Sequence, residues 1–176
     1  MKRYGFVLML ALMTALSSGC SQSNEKVQLL FFSEIPAGAE EEAQAIIEEN
    51  TGEGTSSQLE FYPYHHEKIV IELAGRNGDL FFVPLKDVKY LIDPAAFTPL
   101  NEVAEASSLE EGAPDELKGE DPDTEEIHVY AVPVDNDSSF IKEMGWTLEE
   151  PLAAFIPAYS EEKEEAISLL KSLISS

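Results

Sequence analysis

The chain is poor in cysteine, in basic residues and in recognisable catalytic motifs, and each shortage closes a class of function. Cys20 is the single cysteine among 176 residues. No intrachain disulfide forms, and no dithiol pair exists for thiol–disulfide exchange. Lysine and arginine number 11 against 34 aspartates and glutamates, a formal net charge of −23. So acidic a surface repels phosphate backbones, which argues against nucleic acid as a partner. It also repels anionic lipid head groups, so no basic patch holds the protein on a membrane. There is no Gly-x-Ser-x-Gly elbow, no phosphate-binding glycine loop and no His-Glu-x-x-His. Carboxylate pairs are so common that no one pair marks an acid–base site. The expectation is a protein that is not an enzyme and that needs no cofactor. The first apolar run, residues 4–16, falls short of the ~20 residues of a membrane-spanning helix.

That run has a different use. It follows Met1-Lys2-Arg3 and leads into Leu16-Ser17-Ser18-Gly19-Cys20. A basic head, an apolar middle and a small-residue end make a secretory signal. Small residues followed by cysteine resemble a bacterial lipoprotein signal, with Ser17 standing where leucine is commoner. The resemblance implies that residues 1–19 are removed and that Cys20 is lipidated and becomes the mature N-terminus. It further implies an anchor on the extracytoplasmic face of the cell membrane. Residues 20–26 are then the lipidated cysteine and a short tether. A flexible linker spans only ~5–6 Å × √n, so the domain beyond is held close to the membrane. The alternative is an ordinary secretory signal with an incidental cysteine. Loss of Lys2 and Arg3 leaves 9 basic residues against 34 acidic ones, a net −25.

Residues 27–176 read as one α/β domain. Val27-Gln28-Leu29-Leu30-Phe31-Phe32 is nearly continuous apolar sequence, as in a strand covered on both faces. Further strands are expected at 59–62, 79–84, 127–134 and 152–157. Helices are expected at 39–50, through Ala39, Ala43, Ile46 and Ile47, and at 65–76, through Ile69, Val70, Leu73 and Ala74. Others are expected at 85–92, around Phe140, Ile141 and Met144, and after Ser160, whose hydroxyl suits an N-terminal cap. Strands alternating with helices predict a single open, mostly parallel sheet with helices on both faces. The regularity fails at residues 101–126, where 11 acidic residues meet one lysine among Gly112, Pro114, Gly119 and Pro122. This stretch is expected to be a long, charged, mobile connection.

Several pieces of the mature chain resemble extracellular solute-binding proteins of ABC importers. Gly78-Asp79-Leu80-Phe81-Phe82-Val83 is similar to that family's Asp-then-apolar strand after a glycine-containing turn. Phe97-Thr98-Pro99-Leu100 is similar to its Pro-Leu loop, and Tyr130-Ala131-Val132-Pro133 to its Tyr-x-Val-Pro strand. Phe155-Ile156-Pro157 and the helix after it resemble the closing elements. Members have two α/β lobes with ligand held between them, and this chain has residues enough for one lobe. The resemblance implies ligand, small molecule or membrane-protein partner, at the carboxyl ends of the strands, and aromatic residues lining a cleft. Tyr62, Tyr64 and Trp146 are the candidates for that platform, with packing residues as the plainer reading.

Other clusters carry less. His65, His66 and Glu67 are adjacent, so they lack the i, i+4 spacing of helical metal ligands, and His128 is the remaining imidazole. Asp135-Asn136-Asp137 alternates oxygen ligands but lacks the glycine and distal glutamate of a calcium loop, so a turn with Asx capping is expected and no metal. The leading expectation is non-enzymatic binding of a small ligand or envelope partner. The alternatives are an assembly or scaffold lipoprotein without a pocket, and a hydrolase assembled from scattered residues.

Overall fold

The structure, a computed structural model, describes residues 25–34, 38–107 and 113–175. The signal, Cys20 and most of the tether lie outside them.

Five strands make one open sheet: β1 (Glu25–Phe32), β2 (Thr55–Tyr62), β3 (Leu80–Pro84), β6 (Val132–Val134) and β7 (Leu152–Phe155), in the order β2-β1-β3-β7-β6. β1 is parallel to both β2 and β3, with Leu29 opposite Leu59 on one side and Leu80 on the other. The chain leaves β1 through α1 (Glu40–Asn50), forms β2, and crosses back through α2 (His66–Gly75) to β3. Right-handed crossovers in opposite directions put successive helices on opposite faces. Accordingly Ala43 and Ile47 of α1 join one core cluster, and Ile69 of α2 joins the other.

β3 is buried at all five positions. Alternation along it sends Leu80 and Phe82 to the first face and Phe81 and Val83 to the second. Phe31 and Phe82, neighbours in register, stack at 3.9 Å between ring centroids. Phe81, Phe155 and Phe97 continue a stack on the second face at 5.1 and 4.5 Å. Such burial of apolar rings is the main source of stability, at roughly 25 cal/mol per Å².

The expected mostly parallel sheet holds only at its core. β3 pairs with β7, and β7 with β6, in antiparallel fashion. The expected fourth strand is also divided. β5 (Ile127–Val129) pairs with β4 (Lys118–Glu120) in a separate two-stranded sheet, and Tyr130 and Ala131 lead across to β6. Helices or short turns cover both faces. α1, α4 (Asn101–Ala106), α5 (Ser139–Glu143) and α6 (Lys163–Ile174) pack on the first, and α2 and α3 (Leu85–Val88) on the second.

The acidic stretch 101–126 departs most from expectation. It carries α4, a 3₁₀ turn (Asp115–Leu117) and β4. Val103, Ala104 and Leu117 are buried within it, while Glu102 pairs with Lys171 of α6 at 2.5 Å. Two smaller expectations also shift. Val70 of α2 is 46% exposed, and Ile69 and Leu73 make the packed face instead. Ser160 accepts the Glu162 N–H at 3.2 Å just before α6 rather than capping it, and donates to Asp79 at 2.8 Å.

Candidate functional site

In the order 2-1-3, the chain departs from β1 to one side and returns to the other. The carboxyl ends of β1 and β3 therefore diverge at the topological switch point, where open α/β sheets leave a crevice. A cavity of about 520 Å³ lies there. Its floor is Phe32 and Pro84, the last residues of β1 and β3, with Leu152, the first of β7. Ser33 and Glu34 continue from β1, and Lys86 stands in α3.

Residues 146–150 form the remaining wall. Their exit from α5 follows from local chemistry. The Gly145 N–H reaches the Lys142 carbonyl at 3.0 Å and the Trp146 N–H reaches that of Ile141 at 3.2 Å. This is a Schellman closure, with Gly145 at φ +62°. It delivers Trp146 against Phe61 and Phe140, each 6.1 Å away between centroids.

Two of the three expected aromatic residues meet in this cavity. Trp146 packs with the first-face core and Tyr64 with the second, so they flank the sheet end from opposite sides. Burial, and then the neighbouring Asp87 carboxylate, push the Tyr64 phenol up to about 12, so it stays neutral. Tyr62 is not in the lining. Its hydroxyl donates to Glu60 at 2.5 Å, its ring stacks on Phe32 at 5.3 Å, and Lys68 sits 4.5 Å above it. The bond to Glu60, then burial, push this phenol also up to about 12. The same Glu60 carboxylate accepts from Gln28 and Gln58, which ties Tyr62 into a cross-strand polar network.

The cavity carries Glu34, Glu149 and Glu150 against Lys86 alone. Lys86 is already engaged by Glu150 at 2.5 Å, which raises its pKa. The field is therefore negative, and an anionic ligand meets repulsion. Sequence reasoning missed Phe32, Glu34, Pro84 and Lys86. Their only signal was position, at or just beyond the ends of the two strongest apolar strands.

The other candidates go elsewhere. His65 precedes α2 and His66 opens it. His128 sits on β5, with Nδ1 2.8 Å from the Asn101 amide. Among the described residues no three His, Cys, Asp or Glu side chains are grouped to hold a metal ion. Asp135 accepts the Asp137 N–H at 2.9 Å in a tight Asx turn. Among them, too, no helix is long and apolar enough to cross a membrane.

Fold and cavity together define an α/β protein with an open mixed sheet and a cleft at its switch point. No protein-family model matches the chain. It is similar to a protein of Bacillus subtilis (strain 168) named "Putative lipoprotein YteS", being 28% identical over 156 residues that cover 89% of this chain and 87% of that one.

Proposed function

We propose that the protein is a non-enzymatic lipoprotein, anchored through Cys20 outside the cell membrane, that binds a small uncharged or cationic ligand in the strand-end cleft. The cleft carries the reading. Its volume of about 520 Å³ is within the ~300–1,000 Å³ of small-molecule sites, and it sits at the switch point with Tyr64 and Trp146 on its two sides. The excess of carboxylates argues for a ligand without net negative charge. A strand-end site is also what the resemblance to one lobe of a solute-binding protein implies. The name carried by the Bacillus subtilis relative supports the lipid anchor.

The test is a thermal-shift screen against neutral sugars and polyols, amines, amino acids, short peptides and anionic counterparts. A ligand at 100-fold its Kd adds ~2.7 kcal/mol, about 5–10 °C in a domain of this size. Trp146→Ala and Tyr64→Ala should each diminish the shift. Flat melting curves across the panel would replace this reading with an envelope scaffold that has no ligand. A shift confined to anions would overturn the charge argument.

A further inference from the structure

We infer that Asn136 is the positioning residue that sets the Trp146 wall of the cleft, an inference that rests on the binding role proposed for that cleft. The wall is a single stretch, residues 146–150, without helix or strand of its own. Asn136, from the turn after β6, grips its middle. The Leu148 N–H donates to Asn136 Oδ1 at 2.7 Å, and Asn136 Nδ2 donates to the Leu148 carbonyl at 3.2 Å. One carboxamide thus copies a strand neighbour, satisfying both backbone groups of one residue.

The side-chain chemistry is selective. Aspartate accepts but does not donate when ionised, so it keeps the N–H bond and sets a charged oxygen against the Leu148 carbonyl. Alanine keeps neither. The turn that presents Asn136 is itself built. Asp135 accepts the Asp137 N–H at 2.9 Å, and Ser138 Oγ accepts the Asp135 N–H at 3.1 Å. Asp135 and Ser138 shape the turn, which leaves Asn136 to face outward to the wall. On the far side the Lys86–Glu150 ion pair ties the same stretch to α3. Leu148 and Trp146 are two residues apart, so the clasp acts on the aromatic side of the cleft without touching a ligand. Its consequence is preorganisation, since a wall already held in place loses less freedom on binding.

Trp146 is the sole tryptophan, which makes it the reporter. The experiment compares the full chain with Asn136→Ala and Asn136→Asp, without ligand. Both variants should raise acrylamide quenching of Trp146 fluorescence, and Asn136→Ala, which alone loses the acceptor, should also speed hydrogen exchange at the Leu148 amide by about two- to tenfold, the range for one lost hydrogen bond. Melting temperature should move by no more than about 4 °C, because the bonds are exposed. Unchanged quenching and exchange in Asn136→Ala would overturn the inference. Wild-type behaviour in Asn136→Asp would overturn the two-bond clasp. A thermal-shift panel with no hit, beside altered quenching and exchange, would refute the binding role while upholding the clasp. A hit bound equally by wild type and Asn136→Ala would refute the positioning role while upholding the cleft.

Discussion

Gly78→Ala tests whether the close approach between β1 and the turn into β3 is built as described. Gly78 has φ +81°, and a Cβ placed there comes within 2.6 Å of Leu30 Cδ1 and 2.8 Å of Leu30 Cγ, with Phe81 at 3.1 Å. Two costs combine. The left-handed backbone costs an L-residue ~1–2 kcal/mol. Forcing a methyl into the packed second-face core costs a further ~1–3 kcal/mol, and Leu30 has little room, being 1% exposed. The expected loss is about 3 kcal/mol, a large part of the ~5–15 kcal/mol that holds a typical domain. Gly54 separates the two costs. It has φ +89° with nothing within 4 Å of its Cβ position, so Gly54→Ala carries the backbone cost alone. Urea titrations of both variants should show unchanged slopes and lowered midpoints, with the unfolding free energy of Gly78→Ala lower by a further ~1–3 kcal/mol. Equal losses in the two variants would refute the packing argument at Leu30.

Cys20→Ala should release the protein from the membrane fraction or leave an unprocessed precursor; unchanged lipid labelling refutes the anchor. Glu72, in the last turn of α2, is buried and bound by Lys68 one turn earlier and by Asn77. The Lys68 bond above all holds its carboxyl below the ordinary 4.5. A lowered folded value means stability present above the ordinary pKa and lost as pH falls through the folded one. Glu72→Gln should therefore flatten the decline in urea midpoint below about pH 4.5, and parallel profiles would refute this. Tyr62 behaves in the opposite sense. Its phenol is raised from 10.0 to about 12, so its contribution is complete below pH 10 and is lost as pH rises toward 12. Tyr62→Phe should remove one late step from the tyrosinate absorbance titration, and a lost step near 10 would refute the Glu60 bond.

The fold's core was legible because its signals are local. The apolar runs 27–32 and 79–84 mark β1 and β3, and Ala43 and Ile47 mark the buried face of α1. The acidic stretch was misread because charge density masked spacing. Val103 and Ala104 are a short apolar face with Glu102 and Glu105 beside them, enough for a one-and-a-half-turn helix against α6. The division of 127–134 was not legible either. Tyr130 donates its N–H to the Leu117 carbonyl at 2.9 Å, a partner that no periodicity in residues 127–134 announces. Of the site, Tyr64 and Trp146 were legible as aromatic residues near strand ends. The exclusion of Tyr62 depends on Glu60, two residues away on the same face of β2, whose carboxylate offered the phenol a nearer partner than any ligand.

The antiparallel direction of β7 is what gives the cleft its wall. The chain turns at the end where β6 finishes, through α5 and residues 145–151, and enters β7 from there, so that Leu152 lies opposite Pro84 and Val134. In a parallel arrangement Phe155 would occupy that end, and residues 146–150 would lie at the opposite edge of the sheet, away from Tyr64. The departure from the expected mostly parallel order thus brings Trp146 across the switch point from Tyr64. A lobe of purely parallel strands would have left the carboxyl ends of β1 and β3 without their second aromatic side.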